Sequence, residues 1–186
     1  MEIWHERIDR SEPSVATNGE TIITQLKMAG VGVIVSVPDI VTSDALLWPI
    51  SKDPDFQLIR VCKEDEGISI CAALSYSNKR ALLLMQQTGL MDSLNAIRAI
   101  AMDYRLPVCM MVGLQGKAPD ETILESASYG VRIIPPILDV MALKTVGIDS
   151  DADTHKIGAA IDTAYKTSDP LCLLVGQSPV KTLWNK

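Results

Sequence analysis

Three consecutive carboxylates, Glu64, Asp65 and Glu66, stand between an apolar run from Gln57 to Val61 and the small-residue stretch Gly67 to Ala73. Acidic side chains so placed have two uses. In the first turn of a helix they interact favourably with the positive end of the helix dipole. At the carboxyl end of a strand, followed by small residues that let another group approach, one of them can face a cofactor. A second segment, Met85-Gln86-Gln87-Thr88-Gly89-Leu90-Met91-Asp92, ends a strand-like run in two amides and a Thr-Gly turn before a helix that begins near Asp92. Its single glycine and the lack of a GK[ST] sequence argue against a triphosphate-binding loop. Two shorter junctions, Ser36-Val37-Pro38-Asp39 and Gly113-Leu114-Gln115-Gly116, likewise follow apolar runs.

Other chemistries find little support. The two histidines, His5 and His155, have no companion at catalytic or metal-ligand spacing, so a Ser-His-Asp hydrolase or an HExxH metalloenzyme is not expected. His155 reads as solvated on an early helical turn, and His5 lies in a polar terminal arm. Cys62, Cys71, Cys109 and Cys172 form no CxxC pair, and the first three lie in apolar or strand-like contexts. They read as buried free thiols. Gly30-Val31-Gly32 precedes its strand and lacks a third glycine, unlike a dinucleotide loop.

The elements that must position these residues alternate. Gly19 to Ala29 carries Ile22, Ile23, Leu26 and Ala29 at helical spacing behind Asn18, a plausible N-cap. Strand-like runs follow at 31–37, 57–61, 81–85, 107–112 and 171–175. The segments 40–50, 65–77, 92–104 and 153–166 are long enough for crossover helices. Continuous rather than alternating apolar strands predict a three-layer α/β/α fold with a mainly parallel, doubly wound sheet. In such sheets ligands bind beyond the carboxyl ends of the strands, where the four junctions fall.

At 186 residues a single domain is expected, bounded as an arm at 1–18, a domain at 19–176 and a tail at 177–186. Its 23 acidic against 17 basic residues give a net charge of −6 and no footprint for a phosphate backbone, so nucleic acid is not an expected partner. The apolar runs fall far short of the ~20 residues that cross a bilayer. The charged start lacks the apolar stretch of a secretory signal. A cytoplasmic protein without a membrane partner is the expectation.

In this order, the segments resemble the pyrimidine-binding domain of thiamine diphosphate enzymes. They are most similar to sulfopyruvate and phosphonopyruvate decarboxylases, and especially to the separate sulfopyruvate decarboxylase alpha subunit. SVPD at 36–39 resembles the family's GVPD loop, and KEDEGISICAA its EEEGVGIAAG segment. MQQTGLMDSLNAI resembles MQNSGLGNSINAL, and PPILDVMAL at 135–143 the family's PLLD helix. The resemblance implies a domain of that family's fold. It places the cofactor-activating glutamate on Glu64, with Glu66 as the competitor if the register slips. The pyrimidine would meet Pro38, Thr88 and Gly89, and a small 2-oxo acid would meet Asp39, Gln87 and Gln115.

The resemblance also implies what the partner brings. The family's diphosphate and Mg2+ are held by a GDG motif, which is absent here. A separate diphosphate-binding beta subunit is therefore expected to supply the metal ligands, in an alpha/beta hetero-oligomer with the site between chains. The chain departs from the family where Gln115-Gly116 replaces an Arg-Gly pair and Met91 a loop glycine. An uncharged amide cannot replace a guanidinium fork, and Lys117 nearby reads as solvated. A less charged 2-oxo acid, an acetolactate synthase-like carboligation and a non-catalytic interaction subunit remain alternatives to sulfopyruvate decarboxylation.

Overall fold

The structure, a computed structural model, describes residues 16–181. His5, most of the expected arm and the last five residues of the expected tail lie outside them. Helix α1 (Gly19–Met28) opens the fold, with the Asn18 side chain accepting from the Glu20 N–H at 2.8 Å as its N-cap. Strand β1 (Val33–Ser36) follows, then a π-helical turn (Ser43–Leu47) running into α2 (Trp48–Ile50) and strand β2 (Gln57–Arg60). Helix α3 (Glu64–Tyr76) leads to β3 (Ala81–Gln86). Beyond it, α4 (Gln87–Asp92), α5 (Leu94–Ala96) and a π-helical stretch (Ile97–Met102) form one broken helical segment. The remainder is β4 (Cys109–Gly113), α6 (Tyr129–Arg132), α7 (Ile134–Val140), β5 (Lys144–Ile148), a 3-10 turn (Asp151–Asp153), α8 (His155–Thr167) and β6 (Leu171–Val175).

The six strands form one wholly parallel sheet in the order β2-β1-β3-β4-β6-β5. Side chains alternate between two apolar layers. Leu82 and Leu84 of β3, Met111 of β4 and Leu173 of β6 pack with Leu26, Leu46, Ile157 and Ile161 on one face. Leu83, Met85, Met110 and Leu174 pack with Ile68, Cys71, Leu90 and Ile97 on the other. Burial on both faces is why the four inner strands, β1, β3, β4 and β6, read as unbroken apolar runs. The methionines Met85, Met110 and Met111 are therefore core, and Met91 packs half-buried against the second layer.

Strand β5 was not among the five runs read from sequence. It is an edge strand, exposed or half-buried from Lys144 to Gly147, so it lacks the apolar continuity that marks the inner strands β1, β3, β4 and β6. Cys71, Cys109 and Cys172 are buried thiols as expected, but Cys62 is exposed because it follows the edge strand β2. His155 is exposed at the start of α8, its Nδ1 2.6 Å from the Ala152 carbonyl oxygen. Among the described residues no helix is long and apolar enough to cross a membrane.

Candidate active site

The connection leaving β1 packs Leu46, Leu47 and Ile50 into one apolar layer, whereas the one leaving β3 packs Leu90 and Ile97 into the other. The chain thus departs to opposite faces at neighbouring strands, and the crevice beyond their carboxyl ends is the ligand-binding position of an open parallel sheet. Glu64, at the first position of α3, is held beside this crevice. Gly67, Ile68 and Cys71 form the sheet-facing stripe of α3. Glu64 lies three and four residues before Gly67 and Ile68, so it extends that stripe past the sheet's end. Gly67 sets the helix's height: a Cβ there would lie 2.5 Å from Leu83 Cδ1 and 3.3 Å from Val35 Cγ1.

The three carboxylates have different surroundings. Glu66 Oε2 accepts from the N–H groups of Cys62 at 3.0 Å and Lys63 at 3.4 Å, capping the helix it belongs to. Asp65 Oδ1 accepts the Glu66 N–H at 2.9 Å. Glu64 is half-buried, makes no hydrogen bond among the described residues, and packs its Cγ, Cδ and Oε1 against the space above Gly89. Geometry thus separates Glu64 from its competitor Glu66, which is exposed and occupied with the helix N-terminus. Lys63 ties the two elements together, its Nζ 3.0 Å from Asp92 Oδ2 at the end of α4.

The remaining residues singled out from sequence gather along the same carboxyl edge. Pro38 is exposed and Asp39 half-buried. The Asp39 carboxylate accepts the N–H groups of Val41 and Thr42, both at 2.7 Å, and the Thr42 hydroxyl. It therefore folds the loop after β1. Gln87 is 5% exposed, and its amide clamps the next loop: Nε2 donates to the Gln115 carbonyl at 2.9 Å and Oε1 accepts the Gln115 N–H at 2.8 Å. Thr88 is exposed, and the Gln115 side chain is half-buried. Gln86, passed over in the sequence except as the end of a strand, donates from Nε2 to Thr88 Oγ1 at 2.6 Å, and its buried Oε1 has no partner.

Lys117 departs from expectation. Its side chain is 4% exposed, with Nζ 3.9 Å from Asp149 Oδ1 and donating to the Ala118 carbonyl at 3.3 Å. The ammonium turns towards the ends of β5 and β6, where Gly176 leaves room for it and for Asp149. Burial pushes the Asp149 carboxyl above its ordinary range and the Lys117 charge pulls it back. A lysine beside a loop glycine carries no sign of a half-buried counter-charge 32 positions away, so the sequence alone does not show the pairing.

The architecture defines a class: a parallel, doubly wound domain, here with the Glu64 carboxylate packed against Gly89 beyond the strands' carboxyl ends. The fold is shared with benzoylformate decarboxylase from Polynucleobacter necessarius, at a TM-score of 0.63 and 16% identity, over 91% of this chain and 32% of that enzyme. The chain thus spans about a third of that enzyme's length. In sequence it is 26% identical over 162 residues to the sulfopyruvate decarboxylase subunit alpha of Methanothermobacter thermautotrophicus, covering 87% of this chain and 96% of that one. It is 29% identical over 154 residues to the subunit of the same name from Methanocaldococcus jannaschii, covering 82% and 89%. No family model matches the chain.

Proposed function

We propose that this chain is the pyrimidine-binding alpha subunit of a two-chain, thiamine diphosphate-dependent 2-oxo acid decarboxylase, related to sulfopyruvate decarboxylase. One observation carries the reading: of three adjacent carboxylates, Glu64 alone is left without a hydrogen bond, at the switch crevice and against a glycine. The residues fit half of the cofactor. A half-buried carboxylate and the buried, unpartnered Gln86 Oε1 offer polar contacts to an aminopyrimidine ring. Among the described residues no group of three or more His, Cys, Asp or Glu is placed to hold a metal. The missing GDG motif is what leads the reading to assign the diphosphate, and the Mg2+ that would bind it, to a beta subunit.

Thiamine diphosphate, when bound, supplies the carbanion that adds to a 2-oxo acid and takes up the electrons released as carbon dioxide leaves. This chain's part is to orient and to handle a proton. Glu64 would share a proton with the ring nitrogen N1′, favouring the imino form whose 4′-nitrogen serves as base. Pro38, Thr88 and Gly89 would bound the pyrimidine. Gln115 would offer an amide to the substrate, while Asp39 and Gln87, their polar atoms engaged within the chain, hold the rim in shape.

Substrate charge follows from the cations at hand. Gln115 is neutral, and Lys117 is turned to Asp149. A 2-oxo acid with less charge than sulfopyruvate suits such a rim better, and decarboxylation with capture by an acceptor carbonyl is the second reading. The test is to assay the chain with and without a cognate GDG-bearing chain for cofactor binding, carbon dioxide release from 2-oxo acids, and products formed with an added aldehyde. Activity only in the mixture, lost by a factor of about 100 or more in Glu64→Gln, is the expected result. Tight cofactor binding and turnover by the isolated chain would sink the split site.

A further inference from the structure

We infer that Gly89 is a positioning residue for Glu64: the missing side chain at 89 is the seat of the Glu64 carboxyl group. The inference rests on the cofactor role proposed for Glu64 and adds how the carboxylate is kept in place without hydrogen bonds. Gly89 lies inside α4, buried, three positions into a six-residue helix. Glycine in a helix interior costs roughly 1 kcal/mol relative to alanine, so local structure gives no reason for it. Nor does its backbone, which is not among the positive-φ glycines Gly30 and Gly116. The reason is on the other side of the helix. A Cβ built at 89 has as its three nearest neighbours Oε1, Cδ and Cγ of Glu64, all well inside van der Waals contact.

The Glu64 side chain is thus boxed by shape. Gly67 lets α3 settle onto Leu83 and Val35, which fixes where the Glu64 backbone stands. The Lys63–Asp92 ion pair holds the start of α3 to the end of α4. Gly89 provides the space into which the carboxyl group projects from that backbone. Any side chain at 89 would turn the carboxylate away while leaving the sheet, the crevice and the Gln87 clamp in place. Gly89 therefore acts on the chemistry through Glu64, beyond the wall that it would give the pyrimidine.

A double-mutant cycle tests this on the full chain. Gly89→Ala is expected to lower Tm by roughly 5 °C, and by less than about half as much when combined with Glu64→Ala, which removes the atoms it meets. Gly130→Ala, at an open helical position with nothing near its Cβ, is the control for helix propensity and should not lower Tm. Together with the beta subunit, Gly89→Ala should lower kcat about 100-fold, as for a catalytic group displaced by an ångström, with KM for the 2-oxo acid unchanged. Equal Tm losses with and without Glu64→Ala, or a normal kcat, would overturn the inference even where Glu64→Gln is inactive. A fully active Glu64→Gln would instead overturn the cofactor reading of Glu64, and with it the catalytic part of the inference, whatever the Tm cycle shows.

Discussion

Gln87 shows how a residue chosen for chemistry can do its work through the backbone. Its amide satisfies both the N–H and the C=O of Gln115, joining the first residue of α4 to the loop after β4 as a strand neighbour would. Gln87→Leu keeps the volume and strands those two groups, which should cost about 1–3 kcal/mol in urea unfolding; an unchanged midpoint would show that water replaces the clamp. Lys117 and Asp149 make a second residue-scale prediction. Lys117→Met removes the charge that offsets burial of Asp149, so the Asp149 carboxyl should titrate higher still when followed by NMR. An acid whose folded-state pKa is raised costs the fold stability as pH rises from the unfolded pKa to the raised value, and the cost stays in full above it. The variant should therefore be closest to the parent in stability at acid pH and fall behind towards neutrality. Equal deficits at both ends would show that the pair is only packing. Neither partnership was legible in the sequence, where Gln87 and Lys117 carry the same letters whether they face solvent, substrate or a buried neighbour.

Helices and strands were read from apolar spacing, and the reading succeeded where burial is complete. The runs at 81–85 and 171–175 match β3 and β6 because both faces of each are covered. Of the two edge strands, β2 shows in the sequence through Leu58, Ile59 and Val61, whereas β5, with only Ile148 buried and Lys144, Thr145 and Gly147 along its length, does not. The helix expected to begin near Asp92 instead starts directly at Gln87 with α4 and continues, broken, through α5 and a π-helical stretch. That early start brings Gly89 inside a helix and beside Glu64, a placement that a Thr-Gly pair in sequence gives as a turn. Glu64 is singled out in the sequence by its neighbours in the motif, and the packing of α3 onto Leu83 and Val35 explains the small residues behind it. Gly67→Ala gives a test at this scale. Alanine gains about 1 kcal/mol of helix propensity but meets Leu83 and Val35, both fully buried, where overpacking costs about 1–3 kcal/mol. Net destabilisation is expected, together with weaker activity in the proposed two-chain enzyme because Glu64 rides on the same helix. A stabilised and fully active variant would show that α3 has slack.

At the scale of the whole molecule, accessibility divides the four thiols. Cys71, Cys109 and Cys172 sit in the two layers beside the sheet, and burial pushes each thiol up to about 12, whereas Cys62 stands exposed between β2 and α3. A thiol reagent added to the native chain should modify Cys62 quickly and the other three only on unfolding. Rapid reaction of more than one thiol would mean that the layers open on the timescale of the reagent. The glycines under Glu64 carry a last consequence, for inheritance rather than for chemistry. Hydrogen bonds can be lost by substitution and replaced by substitution elsewhere, but the space above Gly67 and Gly89 can only be filled, since every replacement for glycine adds carbon. Each missense change in these two codons therefore moves the same way, towards crowding, and repair by a second change requires a neighbour to shrink. Lineages that vary at position 89 are thus predicted to vary at position 64 with it.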